Sequence, residues 1–67
     1  MTQLRKRISR FLVEQRGDET ERAFAARIGI SKSTLHRIEN CEQNITIDTL
    51  EQLCQAFKCD IGDLFPK

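Results

Sequence analysis

A short segment of this chain concentrates side chains that can hydrogen-bond other molecules. An arginine guanidinium can donate to O6 and N7 of guanine together, whereas a lysine ammonium acts as a point charge on a base edge or a phosphate. A serine hydroxyl contacts several bases, and a histidine can lose its charge near physiological pH. The segment predicts either a base-reading surface or an ordinary solvated helix face. The four residues are Lys32, Ser33, His36 and Arg37.

A short helix would present these side chains on one face. Leu35 and Ile38 are three residues apart and form its inward face, so the polar residues point away from the core. Gly29 can adopt the left-handed conformation that ends a preceding helix. Ser31, two residues later, can cap the new one.

The segment before the turn has a matching apolar face. Phe24, Ala25 and Ile28 fall at i, i+1 and i+4 of a predicted helix. Ala25 is small enough to let two helices cross closely. Two helices in this arrangement form a helix-turn-helix, in which the second helix lies in the major groove of DNA.

Periodicity predicts five helices within a single domain, residues 1–67. The first three are expected at 3–16, about 20–28 and about 32–39, with Gly17 ending the first and Thr20 capping the second. A fourth follows the loop Asn40–Ile45 and is capped by Thr46, and Asp60 caps a short fifth. The predicted inward residues of helices 1, 4 and 5 are Leu4, Ile8, Phe11, Leu12, Ile47, Leu50, Leu53, Cys54, Phe57, Ile61, Leu64 and Phe65.

The order and spacing of these elements resemble the Xre or lambda-repressor-like (Cro/C1-type) helix-turn-helix regulators over nearly the whole chain. The resemblance implies an all-α, five-helix lambda-repressor-like DNA-binding domain with the helix-turn-helix at helices 2 and 3. Double-stranded DNA is the implied partner. The matching residues are Phe24-Ala25, Gly29-Ile30-Ser31, Ile38-Glu39, Thr49-Leu50, Leu53, Phe57 and Leu64-Phe65.

The resemblance also implies contacts with the DNA backbone, from the start of helix 2 and from the loop after helix 3. Thr20 and Thr34 offer hydroxyl groups, and Asn44 matches the loop asparagine of the family. Capping and turn formation are the alternative roles of Thr20 and Asn44. Glu21 stands where the family has a phosphate-binding glutamine, and Glu42 replaces a residue that is usually basic.

Two further departures from the family pattern concern the ends of helices 1 and 3. Cys41 replaces a glycine, which predicts that Asn40 adopts the left-handed conformation instead. Val13 replaces an arginine that pairs with the glutamate equivalent to Glu39. Glu39 is therefore expected to pair with Arg10 or another cation, or to remain exposed.

Charge is distributed unevenly along the chain. The net charge is +1, but residues 1–40 carry nine Lys or Arg and five acids, whereas residues 41–67 carry two and five. The basic half is typical of a protein whose one side faces a polyanion. The alternative is that the uneven charge of the solvated surface is incidental. No apolar run is long enough for a membrane span or a signal peptide, which predicts a cytoplasmic protein.

Three cysteines and one histidine raise the question of a metal site. His36 and Cys41 could form one ligand pair and Cys54 and Cys59 another, but structural zinc sites usually have closer pairs on a rigid knuckle. Cys54 and Cys59 are expected to pack as small hydrophobic residues, with a disulfide as the alternative. Cys41 is the exposed candidate for oxidation. No metal, cofactor, small-molecule substrate or enzymatic activity is predicted.

The predicted function is sequence-specific DNA binding by a small transcriptional regulator. One recognition helix contacts few base pairs, so a homodimer on a palindromic operator is expected. Ile61, Leu64 and Phe65 offer an apolar dimer surface, unless they only close the core. The alternative function is a protein-binding module of the same fold, such as an antitoxin or an antirepressor subunit.

Overall fold

The computed structural model describes residues 3–42 and 44–66. Met1, Thr2, Gln43 and Lys67, and with them the extreme N-terminus and one position of the predicted loop, lie outside the described residues. Within the described part the chain is all-helical. Its elements are α1 (Leu4–Arg16), α2 (Glu21–Ile28), α3 (Lys32–Glu39), α4 (Ile47–Phe57) and a 3₁₀ helix (Ile61–Leu64).

Three of the helices begin with the same hydrogen bond. The side-chain oxygens of Thr20, Ser31 and Thr46 each accept from the backbone N–H three residues later, at 3.0–3.2 Å. Each cap satisfies a donor that the first turn would leave unpaired, typically worth about 1 kcal/mol. All three predicted caps are confirmed, and with them the starts of α2, α3 and α4.

Gly29 forms the tight turn between α2 and α3. Its φ is +82°, and its N–H donates to the Ala25 carbonyl at 2.9 Å. A Cβ at this position would lie 2.5 Å from Nε2 of Gln52, which donates to the Ile28 carbonyl at 3.1 Å. The turn therefore needs glycine for its backbone conformation, and a Cβ would in addition displace the amide end of the Gln52 side chain.

The end of α3 differs from the prediction. Asn40 has a φ of −97°, and Cys41 itself adopts the left-handed conformation with a φ of +60°. The N–H of Glu42 donates to the Arg37 carbonyl at 2.8 Å, and that of Cys41 to the Ile38 carbonyl at 3.1 Å. These paired bonds form a Schellman motif, which places the left-handed residue one position after Asn40.

Cys41→Gly is expected to stabilise the domain, because a non-glycine residue in the left-handed conformation costs about 1–2 kcal/mol. Glycine loses more conformational entropy on folding, which offsets part of this stabilisation. A net gain of up to about 1 kcal/mol would raise the melting temperature by roughly 4–8 °C. Cys41→Ala is the matched control, since it removes the thiol and keeps the Cβ. A melting temperature of the glycine variant no higher than that of the alanine variant would contradict the prediction.

Side chains from every helix form one hydrophobic core. Phe24 is fully buried and packs on Phe57, with ring centroids 6.1 Å apart, and Phe57 meets Phe11 edge-to-face at 5.3 Å. Ala25 is 1% exposed on α2, which packs directly on α3. The buried hydrophobic residues are Ile8, Leu12, Phe24, Ala25, Ile28, Leu35, Ile38, Leu53 and Leu64.

Three predicted core positions and the fifth helix need correction. Leu4 and Ile47 are 48% and 70% exposed, because each is the first residue of its helix and lies at the edge of the core. Instead of a fifth α-helix there is a single 3₁₀ turn, closed by reciprocal bonds between Asp60 and Asp63. Pro66 disfavours a helical conformation at the residue before it, so the turn does not continue. Ile61, the third of these predicted core positions, lies in this turn and is 46% exposed.

Candidate nucleic-acid interface

The outward face of α3 carries all four residues predicted to contact bases. Leu35 and Ile38 are buried as predicted, which turns the opposite face of the helix to solvent. The four polar side chains are exposed, and together with Glu21 they line a cleft of about 280 Å³. The fold thus brings together two cations, a hydroxyl, an imidazole and a carboxylate. The four α3 residues are Lys32, Ser33, His36 and Arg37.

Three of the residues predicted to contact the DNA backbone lie on different elements of the fold. Thr20 is exposed at the start of α2, and its hydroxyl oxygen caps that helix. Thr34 accepts a hydrogen bond from the Ser31 hydroxyl at 2.8 Å and lines a separate groove with Gly29. Asn44 lies beside α1, where its side-chain oxygen accepts from Arg5.

Glu21 contacts His36 across the cleft. Both carboxylate oxygens lie 3.2 Å from Nδ1 of the imidazole. The hydrogen bond from His36 lowers the pKa of the Glu21 carboxyl below its ordinary value of 4.5 and outweighs the opposing effect of partial burial. The carboxylate predicted to face a phosphate therefore contacts α3 instead.

The lowered pKa of Glu21 makes stability depend on pH. A carboxyl whose pKa is lower in the folded state contributes stability above its unfolded pKa and loses it as the pH falls through the folded value. We expect Glu21→Gln to melt at a lower temperature than the wild type above about pH 4.5, with the difference closing at lower pH. Thermal melts of both proteins at a series of pH values measure this. A difference that stays constant as the pH falls would contradict it.

Glu39, the last residue of α3, pairs with Arg16. Arg16 Nε donates to Oε2 of Glu39 at 2.9 Å and Nη2 to Oε1 at 3.1 Å, while Nη1 donates to the Glu19 carbonyl at 2.9 Å. The bond to Glu39 raises the pKa of Arg16. The predicted partner Arg10 instead donates to the Pro66 carbonyl at 3.2 Å. Arg16 therefore connects α1 and the loop after it to α3.

Sequence reasoning missed Arg16, although a signal for it was present. By the resemblance, Val13 takes the place of the arginine that would pair with Glu39, and Arg16 follows Val13 by three residues. Positions i and i+3 of a helix lie on the same face, so an arginine one turn later can reach the same carboxylate.

Leu64 is fully buried, so in this fold a second copy of the chain cannot contact its side chain. Ile61 is exposed and Phe65 is half-buried. Ile61 also borders a largely apolar groove of about 410 Å³ between α4 and the 3₁₀ helix, to which Ile47 contributes. The exposed apolar surface at this end of the molecule thus centres on Ile47 and Ile61.

All three cysteines are free thiols and half-buried. Cys54 and Cys59 pack against the core as expected. Burial raises the pKa of the Cys59 thiol, and the neighbouring Cys54 raises it further. Cys41 is less exposed than predicted. In residues 3–42 and 44–66, no three His, Cys, Asp or Glu side chains are grouped to hold a metal ion.

The helices of the described segments are too short or too polar to cross a membrane. A family model described as a Cro/C1-type HTH DNA-binding domain matches residues 7–66, which include α2, α3, α4, the 3₁₀ helix and most of α1. Comparisons with curated proteins and with solved structures gave no match.

Proposed function

Because this chain belongs to the Cro/C1-type helix-turn-helix DNA-binding family, we propose that it is a transcriptional regulator that binds specific sites on double-stranded DNA. In this proposal α3 enters the major groove, and the cleft formed with Glu21 faces the base edges. The observation that carries the proposal is the exposure of Lys32 and Arg37 on α3, where both line the same cleft.

Each residue of this face has a distinct role in the proposal. Arg37 donates two hydrogen bonds to a guanine, and Lys32 contacts a base or a phosphate. Ser33 adds a weakly selective contact, and His36 contacts a base edge. Thr20 and Thr34 donate from their hydroxyl groups to phosphates, which positions the domain without selecting a sequence.

Asn44 is proposed as a further phosphate contact, through the nitrogen of its side-chain amide. The oxygen of that amide accepts from Arg5, so the contact with α1 orients the nitrogen. Arg5 also adds a positive charge beside the same phosphate. Asn44 and Arg5 would then bind the DNA backbone on one side of the recognition helix.

We further propose a homodimer on a palindromic operator in the cytoplasm. Specific binding near 10⁻⁸ M or tighter usually needs two half-sites about one helical turn apart. Ile61 and Phe65, together with the neighbouring Ile47, supply the apolar surface for the contact between copies.

Selection of bound sequences from a random duplex pool tests the proposal directly. Enrichment of a palindrome is expected, and binding to the enriched site should weaken steeply as salt increases. Glu21 and the exposed Glu42 favour the rival function, a protein-binding module such as an antitoxin or antirepressor subunit. Binding with neither sequence enrichment nor salt dependence would support that rival.

Arg37→Ala is expected to weaken binding to the enriched site by roughly 1–3 kcal/mol and to relax the preference at one base pair in each half-site. The fold should persist, because the side chain points away from the core. Lys58→Ala is the control, since it removes a cation at the far end of α4. Equal affinity and selectivity of Arg37→Ala and wild type would exclude Arg37 as a base contact.

A further inference from the structure

The two nitrogens of the His36 ring have neighbours of opposite hydrogen-bonding character. Both oxygens of the Glu21 carboxylate lie 3.2 Å from Nδ1, and an ionised carboxylate only accepts hydrogen bonds. Nδ2 of Asn40 lies 3.5 Å from Nε2 and can only donate. Both neighbours therefore favour the same neutral tautomer, with the proton on Nδ1 and a lone pair on Nε2.

The position of the pair fits an indirect role for Glu21. The His36 side chain is 58% exposed and that of Glu21 is 22% exposed, so the imidazole is the more accessible of the two. The Asn40 amide nitrogen also donates to the His36 carbonyl at 2.8 Å, which holds it one helical turn away. Glu21 and Asn40 together thus hold the orientation of the imidazole ring on α3.

We propose that Glu21 is a specificity-determining positioning residue that makes the neutral ring of His36 present a hydrogen-bond acceptor to the major groove. An acceptor selects bases with an exocyclic amine there, adenine through N6 or cytosine through N4. It disfavours guanine and thymine, whose O6 and O4 are themselves acceptors. Lys32 and Arg37 only donate, so His36 gives α3 a selectivity that its cations cannot supply. This inference rests on the proposed DNA-binding function.

The tautomer can be measured without DNA, because His36 is the only histidine of the chain. Long-range ¹H–¹⁵N spectra of the neutral ring separate a protonated ring nitrogen from an unprotonated one. We expect Nδ1 to carry the proton in the wild type. In Glu21→Gln, whose amide can donate or accept, the Nε2–H form should gain population. Glu51→Gln, an exposed change on α4, is the matched control and should keep the wild-type pattern. Protonation on Nε2 in the wild type would overturn the inference.

Selection from a random duplex pool then tests the consequence. His36→Ala identifies the base pair that depends on this ring, and the wild type should prefer adenine or cytosine there. Glu21→Gln should reduce that preference roughly 2–10-fold, the size of one net hydrogen bond, and leave the position read by Arg37 unchanged. An unchanged preference in Glu21→Gln, or guanine or thymine at that position in the wild type, would overturn the inference alone. No enrichment by any variant would overturn the proposed function as well.

Discussion

Ala25→Leu is expected to lower the free energy of unfolding by about 1–3 kcal/mol or more, the usual cost of added volume in a packed core. Ala25 is 1% exposed on α2, which packs directly on α3. Its carbonyl accepts from the N–H groups of Gly29 and Ile30 at 2.9 and 3.1 Å, so the turn holds its backbone in place. The crossing therefore has little freedom to widen around a larger side chain.

Thermal unfolding followed by circular dichroism measures this effect, and each kcal/mol corresponds to roughly 4–8 °C in a domain of this size. Ala26→Leu is the matched control, because Ala26 is exposed one residue further along α2. It tests the same substitution in the same helix without filling the crossing. Similar melting temperatures for the two variants would mean that Ala25 does not set the distance between the helices.

The helix-turn-helix was predictable because its signals are local. Thr20 and Ser31 cap helices through bonds to the third residue beyond, and Gly29 ends one through its own conformation. Leu35 and Ile38 needed only the helical period to be placed inward. Such features depend on neighbours in sequence, which a sequence displays directly.

Other features depend on distant partners and were wrong or missed. Ile47 fits the apolar period of α4 but is 70% exposed, because it is the first residue of that helix and lies at the edge of the core. The Glu21–His36 contact joins residues fifteen positions apart on different helices. Each of the two residues was predicted separately as a DNA contact, and only the packing of α2 on α3 brings them together.

Arg16→Met is expected to lower the melting temperature by several degrees, because it leaves Glu39 without its bidentate partner. The Glu39 side chain is 6% exposed, so water cannot replace the lost hydrogen bonds. Glu39 is also the last residue of α3, where the helix dipole disfavours a negative charge. The loss should exceed that of an exposed pair, since surface ion pairs contribute little to stability.

Arg27→Met provides that comparison, because Arg27 pairs with Glu19 at 2.7 Å while its side chain is 54% exposed. The double variant Arg16→Met/Glu39→Leu should recover part of the stability lost in Arg16→Met, since it also removes the buried carboxylate that Arg16→Met leaves unpaired. The melting temperatures of these three variants and of the wild type complete the test. If Arg16→Met melted no lower than Arg27→Met, the link from α1 to α3 would not be a main support of the position of α3.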